Sequence, residues 1–192
     1  MKKFLPVFFI FILYFCSSMG TPEKTLKNYF DSIISKAVFD TEYWDLNEFC
    51  KIYYGKIWEN ANEADKKEQL SIIQRIANKM VASHKDLFSK LVIKDIKEIE
   101  KNNDTAKYRV VFEIKGLEIK GDSYTDFILK NIRGQWKIIN YEKIKYADKE
   151  MDTAQVFSNN LSTLMQNLGY KSIDEIELKV INEFIKNSFE IK

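Results

Sequence analysis

Histidine, cysteine, proline and glycine are all scarce in this chain: of 192 residues, one is histidine, two are cysteine, two are proline and six are glycine. With His84 alone, and with Cys16 and Cys50 far apart, there is no HExxH, no paired CxxC and no cluster with metal-ligand spacing. No P-loop or GxGxxG is present, which removes the usual cradles for nucleotide phosphates. Only Cys50 lies past residue 20, which agrees with a domain that does not depend on disulfides, and beside Phe49 it reads as a buried, inert thiol. Past residue 20 the only proline is Pro22, and no Pro/Gly/Ser-rich tract, repeat or low-complexity segment follows. The chain therefore reads as a signal segment over 1–20 and one domain over 21–192, long enough to bury about 70% of its unfolded surface.

An excess of positive charge is missing as well. Residues 1–20 hold Lys2, Lys3 and no acid, so setting them aside takes 30 basic residues to 28, against 28 acidic. A near-neutral chain with interspersed charges has no surplus for releasing phosphate counterions, so nucleic acid is not an expected partner.

Long apolar runs are limited to one. Phe4 to Phe15 is apolar throughout, preceded by the two lysines. Twelve residues fall short of the ~20 that a membrane-spanning helix needs and match the core of an export signal. Ser18 and Gly20 supply the small residues for cleavage after Gly20. Soluble export is the expectation; the alternative is a lipid anchor on Cys16, with Leu13 suitably placed and Phe15 bulky where such sites carry a small residue.

What is present is strong periodicity. Thr21-Pro22-Glu23 is a helix start, with a hydroxyl cap, a proline at the first position and an acid at the positive end of the dipole. Leu26, Tyr29, Phe30, Ile33, Ile34, Ala37 and Val38 then predict an amphipathic helix to about Phe39. Asp45 caps a second helix with Leu46, Phe49, Cys50, Tyr53 and Ile57 on one face. A third, from about Glu63 to Ser89, carries Leu70, Ile73, Ile76, Ala77, Met80, Val81, His84, Leu87 and Phe88 on one side, with Lys, Glu, Gln, Arg and Asn on the other.

The period then shortens to two. Tyr108, Val110, Phe112 and Ile114 alternate with Arg109, Val111, Glu113 and Lys115, Thr125, Phe127 and Leu129 alternate similarly, and "IRGQWKIINY" predicts a turn into a strand with Trp136, Ile138 and Asn140 on one face. Leu91 to Glu100 is a further strand, although Ile93, Ile96 and Ile99 keep a period of three. Helix returns from Asp152 to Leu168, closed by Gly169, and Ser172 with Glu175 has capping-box spacing. Helices, an antiparallel meander of about four strands, and helices again define an α+β domain.

In order and spacing these segments resemble the MlaC family, also called the toluene-tolerance auxiliary family. "YYGKIWENANEADKKEQLSIIQRI" resembles its Leu-Gly-x-x-Trp turn and following helix, with Gly55 and Trp58 matching and Tyr54 where leucine is common. "GQWKIINYEKIKY" is similar to its Trp-Lys-Val-Tyr-Asp-Val strand, with Asn140 in place of the aspartate. "FSNNLSTLMQNLGYKSIDEI" resembles its Tyr-Arg-x-x-Phe helix and Gly-x-x-x-Leu ending through Phe157, Leu161, Gly169 and Ile173, with Ser158 at the usual arginine.

The resemblance implies a curved antiparallel sheet against N- and C-terminal helices, cone-like and related to nuclear transport factor two, with an apolar cavity. It implies a periplasmic, monomeric phospholipid carrier without a cofactor. Its implied partners are an inner-membrane Mla-type ABC transporter with its substrate-binding ring and an outer-membrane lipoprotein complex. Gly55 is then expected either to allow a sharp turn between clasping helices or simply to cap one, with Trp58 over the seam or in the core. The residues expected to line the cavity are Tyr53, Ile73, Ala77, Met80, Tyr108, Val110, Phe112, Phe127, Leu129, Trp136 and Ile138, each of which also fits an ordinary packed-core position. Two other readings stay open: a cone-fold enzyme with His84 as pocket base, set against a hydrogen-bonded structural histidine, and a surface lipoprotein acylated at Cys16.

Overall fold

A computed structural model describes residues 20–117, 121–172 and 175–189. Residues 1–19 of the signal segment, with Cys16, and Ile173 of the C-terminal motif lie outside the described residues. Helix α1 spans Pro22–Lys36, and the Thr21 hydroxyl accepts from the Lys24 N–H at 3.2 Å. It stops three residues short of the expected Phe39: Ala37 turns left-handed at φ 52°, and the Phe39 N–H leaves the helix for Asn78 Oδ1 at 3.0 Å. After a single 3-10 turn at Thr41–Tyr43, Trp44 bridges to Ile138, and the Asp45 N–H donates to the Ile138 carbonyl at 2.9 Å. This pins the start of the next helix to the sheet.

Helix α2 (Leu46–Tyr54) begins where Asp45 caps the Glu48 N–H, and ends at Gly55, beyond which α3 (Lys56–Asn60) sets off in a new direction and takes Ile57 with it. The long expected third helix is two. Helix α4 (Glu63–Ser83), capped by Asn62, ends at His84, and α5 (Lys85–Phe88) is one further turn. Helix α6 (Thr153–Leu168) is capped by Asp152 and closed by Gly169 at φ 77°, and α7 is Leu178–Phe189. Among the described residues no helix is long and apolar enough to cross a membrane.

Between α5 and α6 runs an open, curved antiparallel sheet in the order β1-β2-β3-β4-β5: Leu91–Lys101, Thr105–Ile114, Ser123–Ile132, Gln135–Tyr146 and Lys149–Asp152. The fifth strand, Lys-Glu-Met-Asp, is exposed throughout and has no alternation to betray it. Register shifts explain the irregular patterns on either side. In β1 the shift at Lys94 places Ile93 opposite Phe112 and Ile96 opposite Val110, so a spacing of three keeps both on one face; Ile99 sits in the second shift and is exposed. In β4 a shift at Ile139 sets Ile138 opposite Leu129 but Asn140 opposite Ile128, so Asn140 turns to the other face from Ile138, against the expected alternation.

Two buried clusters hold the domain. In one, Leu26, Tyr29, Phe30 and Ile33 of α1 pack on Tyr108, Val110, Phe127, Leu129 and Ile138 of the sheet. In the other, Cys50, Tyr54, Ile57 and Trp58 pack with Leu161, Leu164, Leu178 and Ile181 from the C-terminal helices. Phe49 touches both.

Candidate functional site

The seam between the clusters is not fully filled. An apolar hollow of about 290 Å³ lies there, walled by residues from four parts of the chain. Helix α4 gives Gln69, Ile72, Ile73, Ile76, Ala77 and Met80, a stripe at steps of three, one, three, one and three along one face. Opposite stand Phe39, Trp44, Leu46, Phe49 and Tyr54, with Tyr141 from β4 and Ile185 and Phe189 from α7. The Trp44 ring anchors one side, with ring centres of Phe39, Phe49 and Tyr141 at 5.5, 5.9 and 6.1 Å. The hollow is deep at one end and open at the other: Gln69 and Ile72 have no exposed surface, whereas Met80 is 55% and Phe189 47% exposed.

No wall residue is charged, and the titratable groups nearby are held neutral. Burial raises the Tyr54 and Tyr141 phenols above their ordinary range and pushes the Cys50 thiol up to about 12. Polarity enters the wall chiefly through one pair, Gln69 Nε2 donating to the Tyr54 hydroxyl at 2.7 Å.

Of the eleven residues expected to line a cavity, the structure brings Ile73, Ala77 and Met80 together in this wall. Tyr53 turns away from it: its hydroxyl donates to Asn140 Oδ1 at 2.6 Å, with Thr153 Oγ1 at 3.1 Å, and its ring lies between Phe49 and Phe157. Tyr108, Val110, Phe127, Leu129 and Ile138 are packed beneath α1, which fills that face of the sheet itself. Trp136 is half-buried against the same core, its carbonyl accepting from the Thr25 hydroxyl at 3.2 Å. Phe112 lies in a separate polar groove with Lys94, Glu113 and Lys115. His84, expected on the apolar face of a continuous helix, is exposed at the α4–α5 break, its Nδ1 2.9 Å from the Met80 carbonyl oxygen and outside the hollow's wall. Among the described residues no group of His, Cys, Asp and Glu is placed to hold a metal ion.

Gln69 and Ile72 escaped the sequence reading, which put glutamines on the solvent side of α4. Their signal was spacing: Gln69 stands four before Ile73 and seven before Ile76, on the buried stripe.

No family model and no curated protein matches the chain. Among solved structures it is similar to a phospholipid-binding protein from Ralstonia solanacearum, determined in complex with a phospholipid. The TM-score is 0.58 at 10% sequence identity, covering 88% of this chain and 96% of that one. The similarity establishes a shared fold across nearly the whole of both chains.

Proposed function

We propose that the chain is a lipid carrier that holds the acyl chains of a phospholipid in the hollow between its two cores and moves it through the periplasm, between outer and inner membrane, in an Mla-type ABC transport pathway. The observation that carries this is the uncharged hollow on the seam, opening between Met80 and Phe189. The phospholipid-binding protein of the same fold supports it, as do the export-like first twenty residues. The role asks for no catalytic group. It asks for burial: at ~0.8 kcal/mol per methylene, a sixteen-carbon chain in water is unfavourable by on the order of 12 kcal/mol, which a wall of Ile, Phe, Trp and Met removes.

Capacity sharpens the proposal. At roughly a water-sized 30 Å³ per methylene, two such chains fill on the order of 900 Å³. The hollow of about 290 Å³ is at the small end of ligand sites, ~300–1,000 Å³, so a two-chain lipid enters only as the seam widens. Native purification followed by mass spectrometry of bound lipid, with transfer between labelled and unlabelled vesicles, is the test. Phospholipid in stoichiometric amount and protein-dependent transfer are expected. A protein that neither copurifies with phospholipid nor extracts it from vesicles overturns the proposal.

A further inference from the structure

The apolar wall carries a polar feature at its inner end. Gln69 is wholly buried there, and while its Nε2 is engaged by the Tyr54 hydroxyl, its Oε1 has no hydrogen-bond partner. Nearly every buried amide oxygen finds a donor, because leaving one unpaired costs the whole of its lost hydration. The Tyr54 hydroxyl accepts from Gln69 and keeps its own proton to give. Side by side the two residues offer one acceptor and one donor, both neutral.

The shape of the hollow adds a second constraint. From Gln69 to Met80 the wall follows α4 for about 16 Å, at ~1.5 Å per residue. Along that length the wall holds one polar pair, Gln69 with Tyr54, which serves one terminus and hence one chain. A phospholipid held with its head group at the mouth would press a methyl end against the unpaired Gln69 oxygen. A hydroxyl placed there would donate to Gln69 Oε1 and accept from Tyr54.

We infer that the hollow takes a single-chain amphiphile with a neutral polar terminus, a fatty alcohol or an un-ionised fatty acid, polar end innermost on Gln69 and Tyr54 and tail running along α4 toward Met80 and Phe189. The inference rests on the reading of the hollow as a lipid site and names the lipid that suits its inner end before the seam widens. Gln69 and Ile72 close the inner end, so the terminus seats by displacing them slightly.

The full chain, stripped of copurified lipid, is titrated with 1-decanol and with undecane, which replaces the hydroxyl by a methyl of similar size. Tryptophan fluorescence, read in a Trp58→Phe, Trp136→Phe background so that Trp44 of the wall is the sole emitter, reports occupancy, and phospholipid uptake from vesicles is measured on the same preparations. Wild type is expected to prefer decanol, and Gln69→Leu to reduce the decanol-to-undecane affinity ratio about tenfold. Tyr54→Phe, which keeps the ring, is expected to reduce it about fivefold and serves if Gln69→Leu does not fold. A ratio unchanged in the folded variants overturns the inference, and shows water or nothing to be the partner of Gln69. Phospholipid uptake with an unchanged ratio sinks the inference alone; a Gln69-dependent ratio without any phospholipid uptake sinks the carrier and leaves the inference standing.

Discussion

Gly55 shows what a single residue decides here. Its φ of 49° and ψ of −123° are the mirror image of ordinary extended backbone, and it both ends α2, donating to the Lys51 carbonyl at 3.0 Å, and starts α3. A Cβ at Gly55 would meet nothing within 4 Å, so the glycine is required by its backbone angles and not by a close approach. Gly55→Ala is expected to destabilise the fold by ~1–3 kcal/mol, the range for a non-glycine residue in such a region. Lys56→Ala, at the exposed next residue in ordinary helical backbone, is the control expected to leave stability unchanged. Equal denaturant midpoints for the two variants would contradict this. The turn itself was legible, because a glycine three before a tryptophan in a glycine-poor chain marks a constrained bend. Gln69 was not: a glutamine on a mixed-charge helix looks like solvent face until a tyrosine hydroxyl from another helix is found against it.

The elements themselves were mostly legible, since caps and periodicity are local. Thr21, Asp45, Asp152 and Gly169 all cap as their types suggest. What failed was whatever depends on a partner: the shift at Ile139 that turns Asn140 to the opposite face, the all-exposed β5, and the break of the long helix at His84. Glu48 is another such case, since it fastens α2 to the sheet through Lys130 at 2.8 Å while also pairing with Lys51 at 2.8 Å. Those two lysines hold its carboxyl below the ordinary value of 4.5. A carboxyl depressed in the folded state adds stability that is present above its unfolded value and is lost as pH falls through the folded one. Glu48→Gln is therefore expected to be less stable than wild type at pH 7, with the gap closing below the ordinary carboxylate range. Urea midpoints at neutral and acid pH read this directly, and a gap that persists in acid would show that the ion pairs are not its source.

At the scale of the molecule, the sequence reading put the cavity over the sheet, and the structure puts the hollow at a seam between two cores. No local pattern tells whether α1 or a ligand covers Tyr108, Val110 and Phe127, because both demand the same apolar stripe. The seam makes a prediction about Ala77, the smallest side chain in the wall. Ala77→Trp fills unoccupied apolar space, so its thermal midpoint is expected to hold or rise while its bound phospholipid is lost. A variant that keeps the wild-type lipid load would place the lipid elsewhere.

The same seam must open if two acyl chains are to enter, and the molecule offers one economical way. Helix α7 reaches the hollow only through its outer half, where Ile185 and Phe189 form the wall facing α4, and the α4–α7 contact is held partly by exposed or half-exposed polar links: Lys186 to Glu68 at 2.6 Å and Lys79 Nζ to the Phe189 carbonyl at 3.2 Å. Such links exchange readily with water and are each worth little, ~0–1 kcal/mol. Buried Leu178 and Ile181, and Asn182 donating to the Asp65 carbonyl at 3.0 Å, fix the inner half, so opening is a swing of the outer half of α7 beyond Asn182. Spin labels on exposed Gln74 of α4 and exposed Asn187 of α7 are expected to move apart by several ångströms on phospholipid loading, while a pair on exposed Lys27 of α1 and Lys101 of β1 keeps its distance. If phospholipid binds and the α4–α7 distance does not change, the seam is not the gate, and the two chains must be held somewhere other than between the cores.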